Sequence, residues 1–220
     1  MKFEKIRFVL FTFLLSCSMV VHSQDMGNVG IRAGVTMPNG ILGTLLNPGK
    51  GVGIQFNSTY FYQVRGRFTA DVVKYNPSNL GTITKIYNYN SGQVENADFT
   101  CQNFITYDGS IGLDYKILPD LLPWFYCGPE VLVGMDLARF TYSNPTYLYD
   151  LDTEPFLHTA FKLNFGFEKS FGALNVFGEY SVMRMSSEIY DSENANNYLG
   201  IEEDYMFNYI NHKLTLGIKF

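Results

Sequence analysis

Cysteine, histidine and long apolar runs are scarce in this chain of 220 residues, which holds three cysteines and three histidines. Cys17 and His22 fall in a leader-like N-terminus, so Cys101, Cys127, His158 and His212 are what a mature chain would keep. If a hairpin turns near Asp120, Cys127 pairs near Leu113 and far from Cys101, so no disulfide is expected between them. Cys127 then packs as a small apolar residue. Two histidines leave little material for a general acid or base. No stretch after Gln24 approaches the roughly 20 apolar residues that a membrane-spanning helix needs. Basic residues are also short: without Lys2, Lys5, Arg7 and Glu4, the 16 bases fall to 13 and the 21 acids to 20, a formal charge of −7. No basic stripe is left to neutralise phosphates, so no nucleic-acid partner is expected.

The N-terminus carries an export signal. Lys2, Lys5 and Arg7 form a basic start, and Phe8 to Leu15 is an apolar run broken only by Thr12. Val21 and Ser23 stand at small-residue positions before a cut at Gln24. Residues 1–23 therefore read as a secretory signal peptide, too short and wrongly flanked for a membrane anchor. Leu14, Leu15, Ser16 and Cys17 also make a loose lipobox, so lipidation at Cys17 is the alternative processing route. Residues 24–220 form one domain with no internal repeat or linker.

What the chain does have is alternation and aromatics. Aromatics make up 16% of the residues, nearly all Tyr and Phe, which suits strands bordered by interfacial girdles. The last residues, Lys213, Leu214, Thr215, Leu216, Gly217, Ile218, Lys219 and Phe220, place a large apolar group at every second position and end on an aromatic. Such a strand has one apolar and one polar face. In an outer membrane, a final strand of this kind closes a barrel.

Seven more strands fit the same period, at about 28–37, 51–61, 65–75, 103–116, 124–137, 157–168 and 174–183, before the last at about 208–220. Pro129 cannot donate to a ladder, so a bulge is expected near Gly128. The connections alternate. Residues 61–65, 117–123 and 169–173 are short, whereas 38–50, 76–102, 138–156 and 184–207 are long. Short turns on one side and long loops on the other mark an eight-stranded antiparallel transmembrane β-barrel, with periplasmic turns and extracellular loops. Only a closed barrel lets strands satisfy every backbone group in lipid.

The soluble alternative is a lipocalin-like barrel or sandwich. The location of charge separates the two. Arg32, Arg67, Lys116, Lys162, Lys213 and Lys219 share a face with Asp71, Asp108, Asp114, Glu130, Asp136, Glu168 and Glu179. The opposite face is almost uncharged and full of Phe, Tyr, Leu and Ile. Eight strands enclose too little room for that many large side chains, so the apolar face must point outward, into lipid. The expected site is the outer membrane of a Gram-negative cell, in contact with lipid and lipopolysaccharide.

The stretches "NVGIRAGVTM", "YCGPEVLVGMDL", "NVFGEYSV" and "HKLTLGIKF" resemble the PorT-like family of small outer-membrane β-barrel proteins, across essentially the whole mature chain. The resemblance implies an eight-stranded barrel with both ends periplasmic. It also implies that the chain could serve as an accessory factor for export across the outer membrane, as some members do. The family brings no catalytic motif, so no catalytic, cofactor-binding or metal residue is assigned and no cofactor is expected.

The strand phases place His158 inward and His212 outward on non-adjacent strands, which argues against an enzyme. A hydrolase sited at the rim, with a loop serine or carboxylate beside one of them, is the third reading. Glu188, Asp191, Glu193, Glu202, Glu203 and Asp204 crowd the last long loop, and Asp150, Asp152 and Glu154 the third. Hard oxygen ligands suit Ca²⁺ or Mg²⁺, but the spacing of a calcium loop is missing, and a solvated acidic surface bridged to lipopolysaccharide by divalent cations accounts for them better. Tyr87, Tyr89, Tyr142, Tyr147, Tyr149, Tyr190, Tyr198 and Tyr205 also fall in the loops. They either contact a protein or glycan partner, or pair to extend the barrel wall, and the second is favoured. Paired charges are expected to plug the interior, leaving no open pore.

Overall fold

The structure, a computed structural model, describes residues 27–78, 82–88, 93–144, 147–152, 155–189, 199–200 and 205–220. The elements in chain order are β1 (Val29–Met37), α1 (Ile41–Leu45), β2 (Leu46–Asn57), β3 (Val64–Pro77), β4 (Thr82–Asn88), β5 (Gln93–Tyr115), β6 (Phe125–Asn144), β7 (Tyr147–Asp152), β8 (Phe156–Phe171), β9 (Leu174–Ile189), β10 (Leu199–Gly200) and β11 (Tyr205–Lys219). Eight of the strands close a ring, β1-β2-β3-β5-β6-β8-β9-β11 and back to β1, each antiparallel to its neighbours. The closing ladder runs from Gly30 opposite Lys219 to Met37 opposite His212. The Phe220 N–H donates to the Val29 carbonyl at 2.8 Å, so the terminal aromatic sits at the seam between the first and last strands.

The strand phases are inside-out relative to a soluble barrel. Val52 is 67% and Leu216 69% exposed, whereas Lys162 is 1% and Asp114 0% exposed. Apolar groups left in water would cost on the order of 25 cal/mol per Å², so this outer wall requires lipid. On β3 the outward residues Val64, Phe68, Ala70 and Val72 are succeeded by Lys74. Ten residue steps at about 3.4 Å, tilted by about 40°, rise about 25 Å, the height of the apolar band of an outer-membrane barrel. Among the described residues no helix is long and apolar enough to cross a membrane. The chain is an eight-stranded outer-membrane β-barrel.

Inside, aromatic rings lie over glycines of the adjacent strand. Tyr126 covers Gly166, and a Cβ on that glycine would collide with the ring. Phe177 covers Gly217 in the same way. Glycine is required at these positions because the ring occupies the space of a side chain. Gly172 opens the tight β8–β9 turn with φ 67°, a conformation that glycine adopts without steric cost.

Several expectations change. The described parts of the last three long connections are mostly sheet: β4 pairs with β5, β7 with β6 and β10 with β4, continuing the wall past the apolar band. The stretches "TITKIYN" and "YLYDLD" are rich in β-branched and aromatic residues, which is why they extend rather than loop. The second strand stops at Asn57, not near 61. Thr59 is exposed, and the half-buried Tyr60 ring lies 4.6 Å from the Arg65 guanidinium. Pro129 needs no bulge. Gly112 opposite Glu130 and Tyr115 opposite Cys127 keep one register across it, and the register shifts lie instead at Asn47/Lys50 and Cys101/Asn103. Cys127 is opposite Tyr115 rather than Leu113, and Cys101 is opposite Phe140; both thiols are free.

Candidate functional site: a charged lumen beneath an apolar plug

The inward-facing charges are joined layer by layer from the periplasmic end. In the floor, Arg65 Nε donates to Asp114 Oδ2 at 2.8 Å, and its Nη2 lies 2.8 Å from Glu168 Oε2. Lys219 Nζ donates to the same Glu168 oxygen at 2.7 Å and lies 4.6 Å above the Phe177 ring. Tyr126 closes the layer, its ring centre 5.1 Å from the Arg65 guanidinium. Cation–π contact and shared carboxylates thus hold two cations side by side where water is scarce.

The middle layer centres on Arg67 and Glu130. Arg67 is bonded to Asp114 and Glu179 and lies 3.6 Å from Glu130 Oε2. Glu130 accepts from Lys162 Nζ at 2.7 Å, Asn164 Nδ2 at 2.6 Å and Thr69 Oγ1 at 3.0 Å, and also from Ser110. Ser181 Oγ donates to Asn164 Oδ1 at 2.7 Å. On the adjoining wall, Arg32 grips Asp71 through two nitrogens, with Lys213 on the same carboxylate. Gln55 links this group to Asn57, which donates onward to Asp114. Buried charges survive only when paired and hydrogen-bonded, and the small Ser, Thr and Asn side chains supply the remaining contacts.

Nearer the mouth, His158 stands between two carboxylates. Its Nδ1 is 2.9 Å from Asp136 Oδ2 and its Nε2 3.1 Å from Asp108 Oδ1. Above and around it the inward residues turn apolar. Leu42 and Leu45 of α1, with Leu46 at the start of β2, pack against Val73, Tyr75, Cys101, Phe104, Leu132, Phe140, Met183 and Met185. Leu45 is completely buried. The short helix α1 thus drops into the barrel mouth as a plug, a feature not expected from the alternation of this chain.

The two histidines behave as their phases require. His158 is enclosed in the lumen, and His212 faces outward with its ring stacked on Tyr180 and its Nδ1 2.7 Å from the Tyr180 hydroxyl. The structure does not bring them together. Among the described residues Lys116 joins no ion pair and lies over the Tyr60 ring, 4.4 Å from its centre. Asp150, Asp152 and Glu188 fall on β7 and β9, and Tyr87, Tyr142, Tyr147, Tyr149 and Tyr205 on the extended strands, with Tyr142 in register with Tyr149. Asp191, Glu193, Glu202, Glu203, Asp204, Glu154, Tyr89, Tyr190 and Tyr198, together with residues 1–26 that hold the signal peptide and Cys17, lie outside the described residues. Among the described residues no cluster is arranged to hold a metal ion.

No family model and no curated protein matches the sequence. Three solved structures are similar in general shape. Neisserial surface protein A is 12% identical with a TM-score of 0.41, covering 87% of this chain and 94% of that one. Ail, the attachment invasion locus protein of Yersinia pestis, solved with the heparin analogue sucrose octasulfate, is 11% identical with a TM-score of 0.42 over 88% of this chain and 96% of its own. A major outer membrane protein from Thermus thermophilus is 13% identical with a TM-score of 0.45 over 88% of this chain and 99% of its own. At these scores the assignment as a barrel rests on the closed ladder and its polarity rather than on the likeness.

Proposed function

We propose that the protein is a non-conducting outer-membrane barrel with an interaction role, exercised by the acidic, Tyr-rich β extension that it presents outside the cell. One observation carries this reading: the interior is filled by paired charges below and an apolar plug above, so the surfaces free to act are the outer wall and the extension. Its partner is a protein or glycan that meets the tyrosines, with divalent cations linking the acidic residues to neighbouring lipopolysaccharide. The role is non-enzymatic. His158 is sealed among lumen carboxylates, and His212 faces lipid with Tyr180 as its partner.

The test is cross-linking of intact outer membranes with a copy tagged in the extension, followed by recovery under denaturing conditions. A partner captured through the extension supports the reading. A stoichiometric set of export or assembly factors captured through the periplasmic turns would instead make the chain an accessory subunit, as its resemblance to PorT-like proteins suggests. Measurable lipid or peptide hydrolysis that disappears on His158→Ala or His212→Ala would overturn the non-enzymatic role.

A further inference from the structure

On the outer wall, Lys50 of β2 stands directly opposite Lys74 of β3 in the antiparallel ladder. Both are exposed, and both belong to the outward phase that also carries Val52 and Val72. Directly opposed residues of such a ladder have Cβ atoms about 5 Å apart, and like charges there are destabilising. Neither lysine has an ion-pair partner among the described residues. The nearest positions along and across the strands, Val35, Val52, Val72, Asn76, Ile105 and Tyr107, bring no carboxylate. A single lysine at the edge of an apolar band needs only to snorkel to water. Two in register repel each other, and an anion shared between them relieves that repulsion.

Their level says which anion. Lys74 ends the apolar band at its extracellular edge, about 25 Å above Val64, which is where headgroups of the outer leaflet begin. Lys50 also borders an apolar depression of about 760 Å³ on the outer wall, lined in part by Ala33, Val35, Val52, Leu214 and Leu216. An anion at the lysines joined to acyl chains in that depression is a phosphorylated lipid. We propose that Lys50 and Lys74 form a binding site for the phosphate of an outer-leaflet glycolipid, whose acyl chains run down the wall beside β1, β2 and β11. The site rests on the outer-membrane reading but not on the partner of the extension.

The experiment is native mass spectrometry of the detergent-solubilised full barrel. It is incubated with lipid A carrying both phosphates, with the dephosphorylated lipid, or with inorganic phosphate as competitor. The wild-type protein should retain the phosphorylated lipid, and Lys50→Gln with Lys74→Gln should weaken retention roughly tenfold or more. Lys169→Gln, at the opposite rim, should leave it unchanged. Equal retention of phosphorylated and dephosphorylated lipid by the wild type would overturn the proposal, a result that needs no variant. So would equal retention by the double variant that still migrates as a folded barrel in unheated gels. Displacement by millimolar inorganic phosphate alone would also overturn it, because the site would then be a generic anion site. Loss of the folded band in every form would count against the barrel reading instead.

Discussion

Replacing Arg67 by Met isolates the contribution of the lumen network. Arg67 is buried and touches three carboxylates, those of Asp114, Glu130 and Glu179. Methionine keeps much of the volume but removes the charge, leaving three anions, of which Glu130 keeps Lys162 and Asp114 keeps Arg65. Glu179 loses its only salt bridge among the described residues. Removing one partner of a buried pair typically costs about 3–5 kcal/mol, because the remaining charge stays desolvated. With a urea dependence of about 2 kcal/mol per molar, the unfolding midpoint should fall by about 2 M. The assay is urea unfolding in lipid vesicles, read by tryptophan fluorescence and by the shift between folded and unfolded bands on gels. Adding Glu179→Gln to Arg67→Met should recover part of the loss, since the neutral amide no longer requires a cation. A loss below about 1 kcal/mol, or no recovery in the double variant, would refute the reasoning that these charges are mutually dependent.

Other perturbations have equally definite outcomes. Gly166→Val should displace the Tyr126 ring and lower stability by about 1–3 kcal/mol, measured by the same unfolding assay, whereas Gly172→Asn in the turn should cost far less. Leu45→Ala should cost about 2–5 kcal/mol by emptying the centre of the plug, seen as a lower thermal midpoint. It should leave single-channel conductance undetectable, because the ion-paired layers below are untouched. Tyr180→Phe removes the outward hydrogen bond to His212 and should lower stability by only about 0.5–1.5 kcal/mol.

The barrel was legible because lipid imposes a strict rule on each strand. Period-two alternation with charge on one face places Arg32, Arg67, Asp71, Glu130, Lys162 and Lys213 inside without any structural information, and all of them are buried. The partners of each charge were not legible. Whether Arg67 meets Glu179, 112 positions away, depends on the stagger of eight strands, which alternation does not encode. The plug does have a signal in the sequence. Toward the extracellular end the inward phase changes from polar to apolar, as Val73 and Tyr75 on β3, Phe104 on β5, Ala138 and Phe140 on β6, and Met183 and Met185 on β9. A polar lumen that turns apolar at its mouth has something apolar to bury, and Leu42 and Leu45 in the first connection supply it. Length alone marks the long connections as loops, whereas the strand-favouring composition of "TITKIYN" and "YLYDLD" extends them into the sheet.

The central claim is the polarity of the wall, and nitroxide scanning along residues 210–219 of β11 in lipid vesicles tests it most directly. In a background with Cys101 and Cys127 replaced by Ala, labels at Ile210, Leu214, Leu216 and Ile218 should collide with lipid-dissolved oxygen and be shielded from a water-soluble nickel complex. Labels at Asn211, Lys213 and Thr215 should be shielded from both, with a two-residue period throughout. Collision of the nickel complex with the even-numbered positions would show that they face water, and the outer-membrane barrel account would be wrong.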